Sequence, residues 1–353
     1  MSCSFGEKYK ITIFGQSHSE AIGVVIDGIP AGITLDTEKI NRFMASRAPG
    51  KNAYSTKRTE ADNPEIISGI VDGVTCGAPL CAVIKNNDQH SKDYAKIKTL
   101  PRPSHSDFAA FLKHNGFNDI RGGGNFSGRM TAPMCFAGAV AMQILEQKGI
   151  RIGAHIEKIA GVCDTLFNPV NTDLSVLDNK DFPVLDDSVK AEMLSKIEEA
   201  RLDGDSVGGV IECAVTGMPV GIGEPMFDGV ENVISRAIFA VPAVKGIEFG
   251  NGFDCADLRG SQNNDEFIIT DGKITTKTNN HGGILGGLTS GMPIIFRVAV
   301  KPTPSIAKKQ MTVNLKTSTP EELVIEGRHD PCIVPRAVPC IEAAAALAII
   351  NLI

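Results

Sequence analysis

The sequence predicts an α+β protein, in which short strands that end in glycine–proline turns alternate with a few longer helices. β-branched runs precede two similar turns, at residues 28–32 and 217–221, and a third such run follows Pro293. Runs of this kind, bounded by glycine and proline, are typical of strands. A helix is predicted over 132–148, where Ala137, Gly138 and Ala141 would allow close packing in the centre of the core.

The two common nucleotide-binding folds are excluded. Gly122, Gly124 and Gly128 are one residue too widely spaced for the dinucleotide fingerprint, and no β-branched run precedes them. The chain also contains no phosphate-binding loop of the G-x-x-x-x-G-K-[ST] type.

The composition and net charge limit the kinds of molecule that the protein is expected to bind. The 353 residues could form one large domain or two, with 42% apolar and 22% charged residues and a net charge of -6. An acidic chain of this kind argues against nucleic acid or an anionic membrane as partner. If the ligand is an anion, arginines must be gathered locally to bind it.

The nine cysteines form no C-x-x-C pair and are odd in number, which predicts reduced, buried, structural thiols and no metal site. The N-terminus lacks the apolar segment of a signal peptide. The apolar run 341–353 is too short to span a bilayer and is predicted to be a buried terminal helix. We therefore expect a soluble, cytoplasmic protein.

Other elements follow from local patterns. Asp36 or Thr37 should begin a helix that runs to about Ser46. Residues 86–98 are predicted to form a mobile loop, 167–186 an exposed insertion, 187–201 a surface helix and 238–246 a turn.

The segment 102–129 is the strongest candidate for a functional site. It contains His105 and three consecutive glycines between Arg121 and Arg129. Consecutive glycines are tolerated where the backbone bends sharply or approaches another group closely, and arginines match phosphate and carboxylate geometry. A tight turn beside solvated arginines and an anion site are equally consistent with these residues.

Three further segments place polar side chains at turns. His18 follows a strand, Arg47 lies at a proline–glycine helix end, and Lys301 begins a hydroxyl-rich turn. The tripeptide Arg328–Asp330 favours two interpretations equally, a locally paired polar loop or a site with tuned pKa values.

Taken together, the chain resembles the chorismate synthase family along essentially its whole length. Each motif is weak alone, but eight in the family's order are very specific. The matching segments are 14–18, 102–107, 119–124, 205–209, 223–228, 243–246, 301–303 and 327–332.

The resemblance implies a single domain over residues 1–353, a β-α-β sandwich with antiparallel sheets around a helical core, assembled as a homotetramer. It also implies reduced FMN as cofactor, with NADPH involved only indirectly in flavin reduction. The implied substrate is 5-enolpyruvylshikimate 3-phosphate, and the reaction is a 1,4-anti elimination of phosphate that gives chorismate.

The resemblance implies a role for each matching residue. His18 would protonate the departing phosphate, His105 would contact the flavin, and Asp330 would act as the base through flavin N5. The substrate's phosphate and carboxylates would bind Arg47, Arg129, Arg328 and Arg336. The segments matching the family's FMN site are Asn125, Phe126, Ser127, Pro242, Ala243, Gly286, Lys301, Pro302, Thr303, Pro304, Ser305 and Arg328.

The chain departs from the family pattern at Gln16, Ser19, Ala53 and Asn125, and Asn125 removes a positive charge near the flavin or substrate. Two other functions stay open. One is an NAD(P)H-dependent flavin reductase or oxidoreductase, and the other is a catalytically silent protein that binds a phosphorylated metabolite.

Overall fold

The computed structural model describes residues 3–50, 62–86, 98–325 and 329–353. The helices are α1 Thr37–Arg47, α2 Asp107–Lys113, α3 Thr131–Glu146, α4 Lys190–Leu202, α5 Val230–Ile238, α6 Gly260–Asn263 and α7 Val334–Leu352. The strands are β1 Ser4–Phe5, β2 Lys10–Gly15, β3 Ala21–Asp27, β4 Glu65–Ser68, β5 Ile70–Val71, β6 Val74–Thr75, β7 Leu80–Lys85, β8 Arg151–Ile159, β9 Val162–Cys163, β10 Gly209–Thr216, β11 Val244–Phe249, β12 Phe267–Thr270, β13 Lys273–Thr276, β14 Ile284–Leu285, β15 Leu288–Thr289, β16 Ile294–Val300, β17 Gln310–Asn314 and β18 Thr319–Leu323.

Two five-stranded sheets form the outer layers. The first has the order β1-β2-β3-β7-β4 and the second the order β11-β16-β10-β8-β9. Neighbouring strands within both sheets are antiparallel. The predicted α+β class with antiparallel sheets is confirmed.

A helical layer separates the two sheets. Helix α3 packs against β2, β3 and β7 of the first sheet, and α7 packs against β8 and β10 of the second. The two helices also pack closely against each other, with α1 and α5 beside them. The predicted small-residue face explains the short separation, because a Cβ atom at Gly138 would lie 2.4 Å from Cβ of Ala343.

Helices α3 and α7 run in the same direction. Cys135 of α3 contacts Cys340 of α7, and one turn later along both helices Gly138 contacts Ala343. Their N-terminal ends therefore lie together. Each helix N-terminus has a partial positive charge from its aligned peptide dipoles, so this end of the helical layer favours anions.

The C-terminal helix begins earlier than the sequence predicts. It starts at Val334 instead of Ile341, because Pro335 is accommodated in the first turn and Pro339 interrupts the ladder only near its start. Its 19 residues are long and apolar enough to cross a membrane, with a mean hydropathy of 1.4, but 83% of that window is buried inside the protein. The prediction of a buried terminal helix is confirmed.

The predicted exposed insertion at 167–186 is partly wrong. Its apolar side chains Phe167, Leu174, Phe182 and Val184 are buried against the second sheet. A polar cluster behind them holds the segment in place. In that cluster Asp164 accepts hydrogen bonds from the backbone of Leu185 and Asp186, and His155 lies between Asp164 and Glu212 at 3.1 and 2.8 Å.

The remaining predicted elements agree with the structure in part. Asp36 caps α1 as expected by accepting from the backbone of Lys39. The surface helix is present as α4. The turn predicted at 238–246 is present but shorter, at 239–243, between the end of α5 and the start of β11. The loop predicted at 86–98 lies almost wholly outside the described residues. The expectation that the cysteines are buried is wrong for Cys3, Cys76, Cys163 and Cys255, which are exposed.

Candidate active site

A cavity of about 580 Å³ opens at the N-terminal ends of α3 and α7. This volume is in the range of small-molecule sites. Among the described residues that line it, arginine and lysine outnumber acidic side chains, of which Asp330 is the one lining carboxylate. The cavity is therefore a local cationic site in a chain of net charge -6. Its cationic side chains are Arg47, Arg102, Arg129, Lys245, Lys301 and Arg336.

The three glycines form the sharp turn that the sequence predicts. This turn lies between two histidines. Gly122, Gly123 and Gly124 have φ values of 58°, 85° and 55°, which disfavour any other residue. A Cβ atom at Gly122 would lie 2.4 Å from the His18 ring, and one at Gly123 would lie 3.5 Å from the His105 ring. The turn thus brings together two candidate residues that are far apart in sequence.

The two histidines differ in their access to the cavity. His105 lines it, whereas His18 is 3% exposed and lies behind Gly122, which itself lines the cavity. The backbone N–H of Ser17 donates to the carbonyl of Gly124, which holds the two segments together. The structure therefore places His18 next to the cavity wall.

A carboxylate fixes the orientation of His105. Its Nδ1 atom lies 2.6 Å from Oδ1 of Asp107, and Arg102 grips the same carboxylate with Nε and Nη2 at 2.7 and 2.8 Å. Burial raises the pKa of Asp107, but hydrogen bonds from Arg102 and His105 outweigh it and hold this pKa well below its usual range. Asp107 is therefore ionised. Its Oδ1 atom and Nη2 of Arg102 both lie within hydrogen-bond distance of Nδ1, at 2.6 and 3.1 Å, so Nε2 is the nitrogen that remains for a ligand.

Arg47 and Arg129, both predicted to bind substrate, are joined by one buried carboxylate. Asp62 is fully buried and forms an ion pair with Nη1 of each arginine. Arg47 also donates through Nε to the hydroxyl of Thr131 at 3.2 Å, and Arg129 donates through Nε to Asn86 at 3.0 Å. Two guanidinium groups share one anion, so the cluster retains a net positive charge.

Arg336 connects this cluster to the predicted base. Its Nη1 atom lies 2.5 Å from Oδ2 of Asp330, and its Nε donates to the carbonyl of Arg47 at 3.0 Å. Burial lowers the pKa of Arg336, and the Asp330 carboxylate partly offsets that effect. The structure thus brings Arg47, Arg129, Arg336 and Asp330 together.

Lys301 contacts two strained backbone positions that line the same cavity. Its Nζ donates to the carbonyl of Ser104 at 2.8 Å, and its backbone N–H donates to the carbonyl of Ala243 at 3.0 Å. Ser104 and Ala243 have φ values of 57° and 72°, a region that residues other than glycine seldom occupy. Such strain is concentrated at ligand-binding sites, where the surrounding contacts maintain it.

Most of the predicted cofactor residues line the same cavity. Pro302 and Gly286 do not, and Gly286 lies in the turn between β14 and β15. Arg328 and Ala53 fall outside the described residues. The predicted cofactor residues that line the cavity are Asn125, Phe126, Ser127, Pro242, Ala243, Lys301, Thr303, Pro304 and Ser305.

The sequence did not single out three residues that organise the site. Arg102 and Asp107 belong to a motif quoted above, so the charged pair around His105 was available as a signal. Asp62 gave no signal, because a carboxylate in a polar stretch acquires its role only through distant partners. Asp62 is separated from Arg129 by 67 residues.

The residues present fit an anionic flavin. The hydroxyl of Thr303 is buried at the cavity with no hydrogen-bond partner among the described residues, which a ligand oxygen could satisfy. Lys301 and Arg102 contribute positive charge nearby, and Arg102 donates to the hydroxyl of Ser305 at 3.1 Å. Within the described ranges, no group of His, Cys, Asp and Glu side chains could hold a metal ion.

A sequence model of the chorismate synthase family matches residues 9–353. The chain belongs to the chorismate synthase family. It is 46% identical to the chorismate synthase of Dehalococcoides mccartyi over 353 residues, covering 100% of this chain and 96% of the relative. It is 47% identical to that of Methanococcoides burtonii over 348 residues, covering 99% and 94%.

A solved structure supports the same relationship. A crystal structure of chorismate synthase superposes with a TM-score of 0.77 at 26% identity, covering 99% of this chain and 92% of that one. The β-α-β sandwich predicted from the resemblance to chorismate synthase is thereby confirmed.

We predict that Asp62→Asn destabilises the protein and makes it respond more strongly to phosphate. The amide keeps the shape but leaves two buried guanidinium groups without a counter-charge, which typically costs about 3–5 kcal/mol. Inorganic phosphate would replace the lost charge and stabilise the folded state by mass action. Thermal unfolding should therefore show a lower Tm and a larger rise in Tm with phosphate than in the unsubstituted protein.

The matched control is Asp203→Asn, which removes an exposed carboxylate paired with Lys308. It should change stability by less than about 1 kcal/mol and leave the phosphate response unaltered. An Asp62→Asn protein with the same Tm and phosphate response as the unsubstituted protein would contradict the role assigned to this carboxylate.

Proposed function

We propose that the protein is a chorismate synthase, a lyase that removes phosphate and the C6 proton from 5-enolpyruvylshikimate 3-phosphate in a 1,4-anti elimination. The proposed product is chorismate, at the last common step of aromatic amino acid biosynthesis. The main support is the convergence of Arg47, Arg129 and Arg336 on one cavity beside Asp330. Family membership points to the same reaction class.

The arginines match the charge of this substrate. A phosphate and two carboxylates need several cationic partners, and guanidinium groups bind both kinds of anion in a bidentate manner. Asp62 keeps Arg47 and Arg129 close together and correctly oriented before the substrate arrives. In the proposal Arg328 adds to this set.

The proposal includes reduced FMN as cofactor. Residues 125–127, Ala243 and Lys301–Ser305 would hold it. Lys301 would supply positive charge, and the Thr303 hydroxyl would form a hydrogen bond with the cofactor. The reduced flavin would lend electron density to the allylic system and recover it, so that no net redox change occurs. NADPH enters only as an indirect source of reduced flavin.

The chain's own groups would move the protons. Asp330 would take the C6 proton, with Arg336 orienting its carboxylate at 2.5 Å. His105 would donate or accept a hydrogen bond through Nε2, because Asp107 holds the other ring nitrogen. His18 would protonate the departing phosphate, which requires the phosphate to bind at the Gly122 turn, since His18 lies behind that glycine.

Substitution of the three groups should reduce turnover without loss of the fold. With reduced FMN and substrate under anaerobic conditions, His105→Ala, His18→Ala and Asp330→Asn should each lower kcat by about 100- to 10,000-fold, as expected for general acid–base groups. Asp330→Asn should still bind the flavin. Turnover is followed by the chorismate absorbance and by released phosphate.

Asp187→Asn is the matched control for Asp330→Asn, because this exposed carboxylate pairs with Lys180 and is not among the residues lining the 580 Å³ cavity. Its kcat should remain within about twofold of the unsubstituted enzyme. Near-normal turnover in any one of the three test variants would refute the role of that residue. Steady NADPH consumption without substrate would instead favour a flavin reductase.

The proposal also places the protein in the cytoplasm as a single-domain subunit of a homotetramer. All nine cysteines are free, which suits a reducing compartment. The β12–β13 hairpin leaves Phe267, Ile269 and Ile274 at least 70% exposed. An exposed apolar patch of this kind suits burial between subunits.

We expect sedimentation analysis to give the mass of four 37.5 kDa chains. Ile269→Glu should weaken the assembly because it would bury a charge, whereas Val176→Glu, at an exposed site in a different segment, should leave the mass unchanged. A monomeric mass for the unsubstituted protein would refute the tetramer.

A further inference from the structure

Two cysteines lie in contact at the floor of the cavity. Cys340 lines it and is 4% exposed, whereas Cys135 is fully buried behind it. The thiol of Cys135 is directed at Sγ of Cys340 at 3.8 Å, and the thiol of Cys340 is directed at the carbonyl of Arg336 at 3.4 Å. The close approach of α3 and α7 one turn further on, at Gly138, is what allows this contact.

The surroundings of Cys340 favour its thiolate. The hydrogen bond from Cys135 and the positive charges of Arg47 and Arg336 outweigh burial and lower the pKa of Cys340 to about 7. Thiolates, not thiols, are the reactive form of cysteine, and nearby arginines and helix N-termini promote them. Cys340 has two such arginines nearby, Arg47 and Arg336.

The other buried cysteines have the opposite character. Burial raises the pKa of Cys332 to about 12 and raises the pKa values of Cys135 and Cys213 well above the usual range. These thiols stay protonated at neutral pH, so none of them is expected to react first with an oxidant. Among the buried cysteines, Cys340 therefore combines an ionisable thiol with access to the cavity.

The two sulfurs are close enough to be candidates for a disulfide bond. The sulfurs must close from 3.8 Å to about 2.0 Å, the length of the bond. Both cysteines lie one helical turn from the closest contact between α3 and α7. Rotation of the two side chains would change the distance between their sulfurs.

We propose that Cys340 is a peroxide-reactive thiol that forms a reversible disulfide with Cys135. The Cys340 thiolate attacks hydrogen peroxide, breaks the O–O bond and gives a sulfenic acid and hydroxide, which takes up a proton to form water. The Cys135 sulfur then attacks that sulfur while its proton passes to the departing hydroxide, so the S–O bond breaks and a second water leaves. In total, two thiols and one peroxide give one disulfide and two waters.

The disulfide would alter the cavity directly. It would shift the start of α7, which carries Arg336, relative to α3. Arg336 contacts both Asp330 and the carbonyl of Arg47. The oxidised protein should therefore lose ligand affinity at this site until a thiol reductant restores it. This inference does not depend on the identity of the substrate.

Peptide mapping tests the proposal. The full-length protein is treated with hydrogen peroxide, its remaining thiols are alkylated after unfolding, and trypsin digestion is done without reductant. Cys135 and Cys340 fall in separate peptides, 130–148 and 337–353, and Cys332 falls in a third, 329–336. We expect 130–148 linked to 337–353, a link abolished by dithiothreitol, and a rate of formation that rises with pH with a midpoint near 7.

Two variants and one control sharpen the test. Cys135→Ser should leave Cys340 as a sulfenic acid that dimedone labels, and Cys340→Ser should leave Cys135 unoxidised. Cys213→Ser, which removes a buried thiol in β10, should form the link as fast as the unsubstituted protein. Oxidation confined to the exposed Cys3, Cys76, Cys163 and Cys255, or a link that forms with a midpoint near 8.5 as for an ordinary thiol, would overturn the proposal.

Discussion

The structure depends on the close parallel packing of α3 against α7. A Cβ atom at Gly138 would lie 2.5 Å from Cα of Ala343, so any larger residue would separate the helices and, with them, the two sheets they support. The same packing places both helix N-termini at one point. Arg129 lies just before α3 and Arg336 lies in the first turn of α7, so the positive ends of two helices and two guanidinium groups converge. The cationic cavity is a consequence of how the core is packed.

The buried cations of the site need negative charge nearby, and three carboxylates supply it. Asp62 is shared by two arginines, Asp107 holds Arg102 and His105, and Asp330 is paired with Arg336. Each carboxylate reduces the cost of burying its partner and also fixes that partner's orientation. Because the cations outnumber these carboxylates, the site still attracts an anion. This arrangement explains how an acidic chain can form a local binding site for an anionic ligand.

Much of this could be predicted from the sequence where the signal is local. The small-residue helix, the turn at Gly122 and the cap at Asp36 follow from backbone and packing rules that act within a few residues. The burial of Phe182 and the ion pairs of Asp62 could not be predicted, because they depend on partners brought close only by the tertiary fold. The early start of α7 was missed because Pro335 and Pro339 normally signal a helix boundary. The family resemblance supplied the antiparallel sandwich, which local patterns alone did not distinguish from other α+β folds.

The central claim is that this cationic cavity eliminates phosphate only with a reduced flavin. The most direct measurement is anaerobic: the protein is mixed with dithionite-reduced FMN and 5-enolpyruvylshikimate 3-phosphate, and phosphate and chorismate are quantified together. The account predicts equal amounts of both products, and none of either when the flavin is left oxidised. Tight binding of the reduced flavin with no product would contradict it, and so would phosphate release that continues unchanged with oxidised flavin.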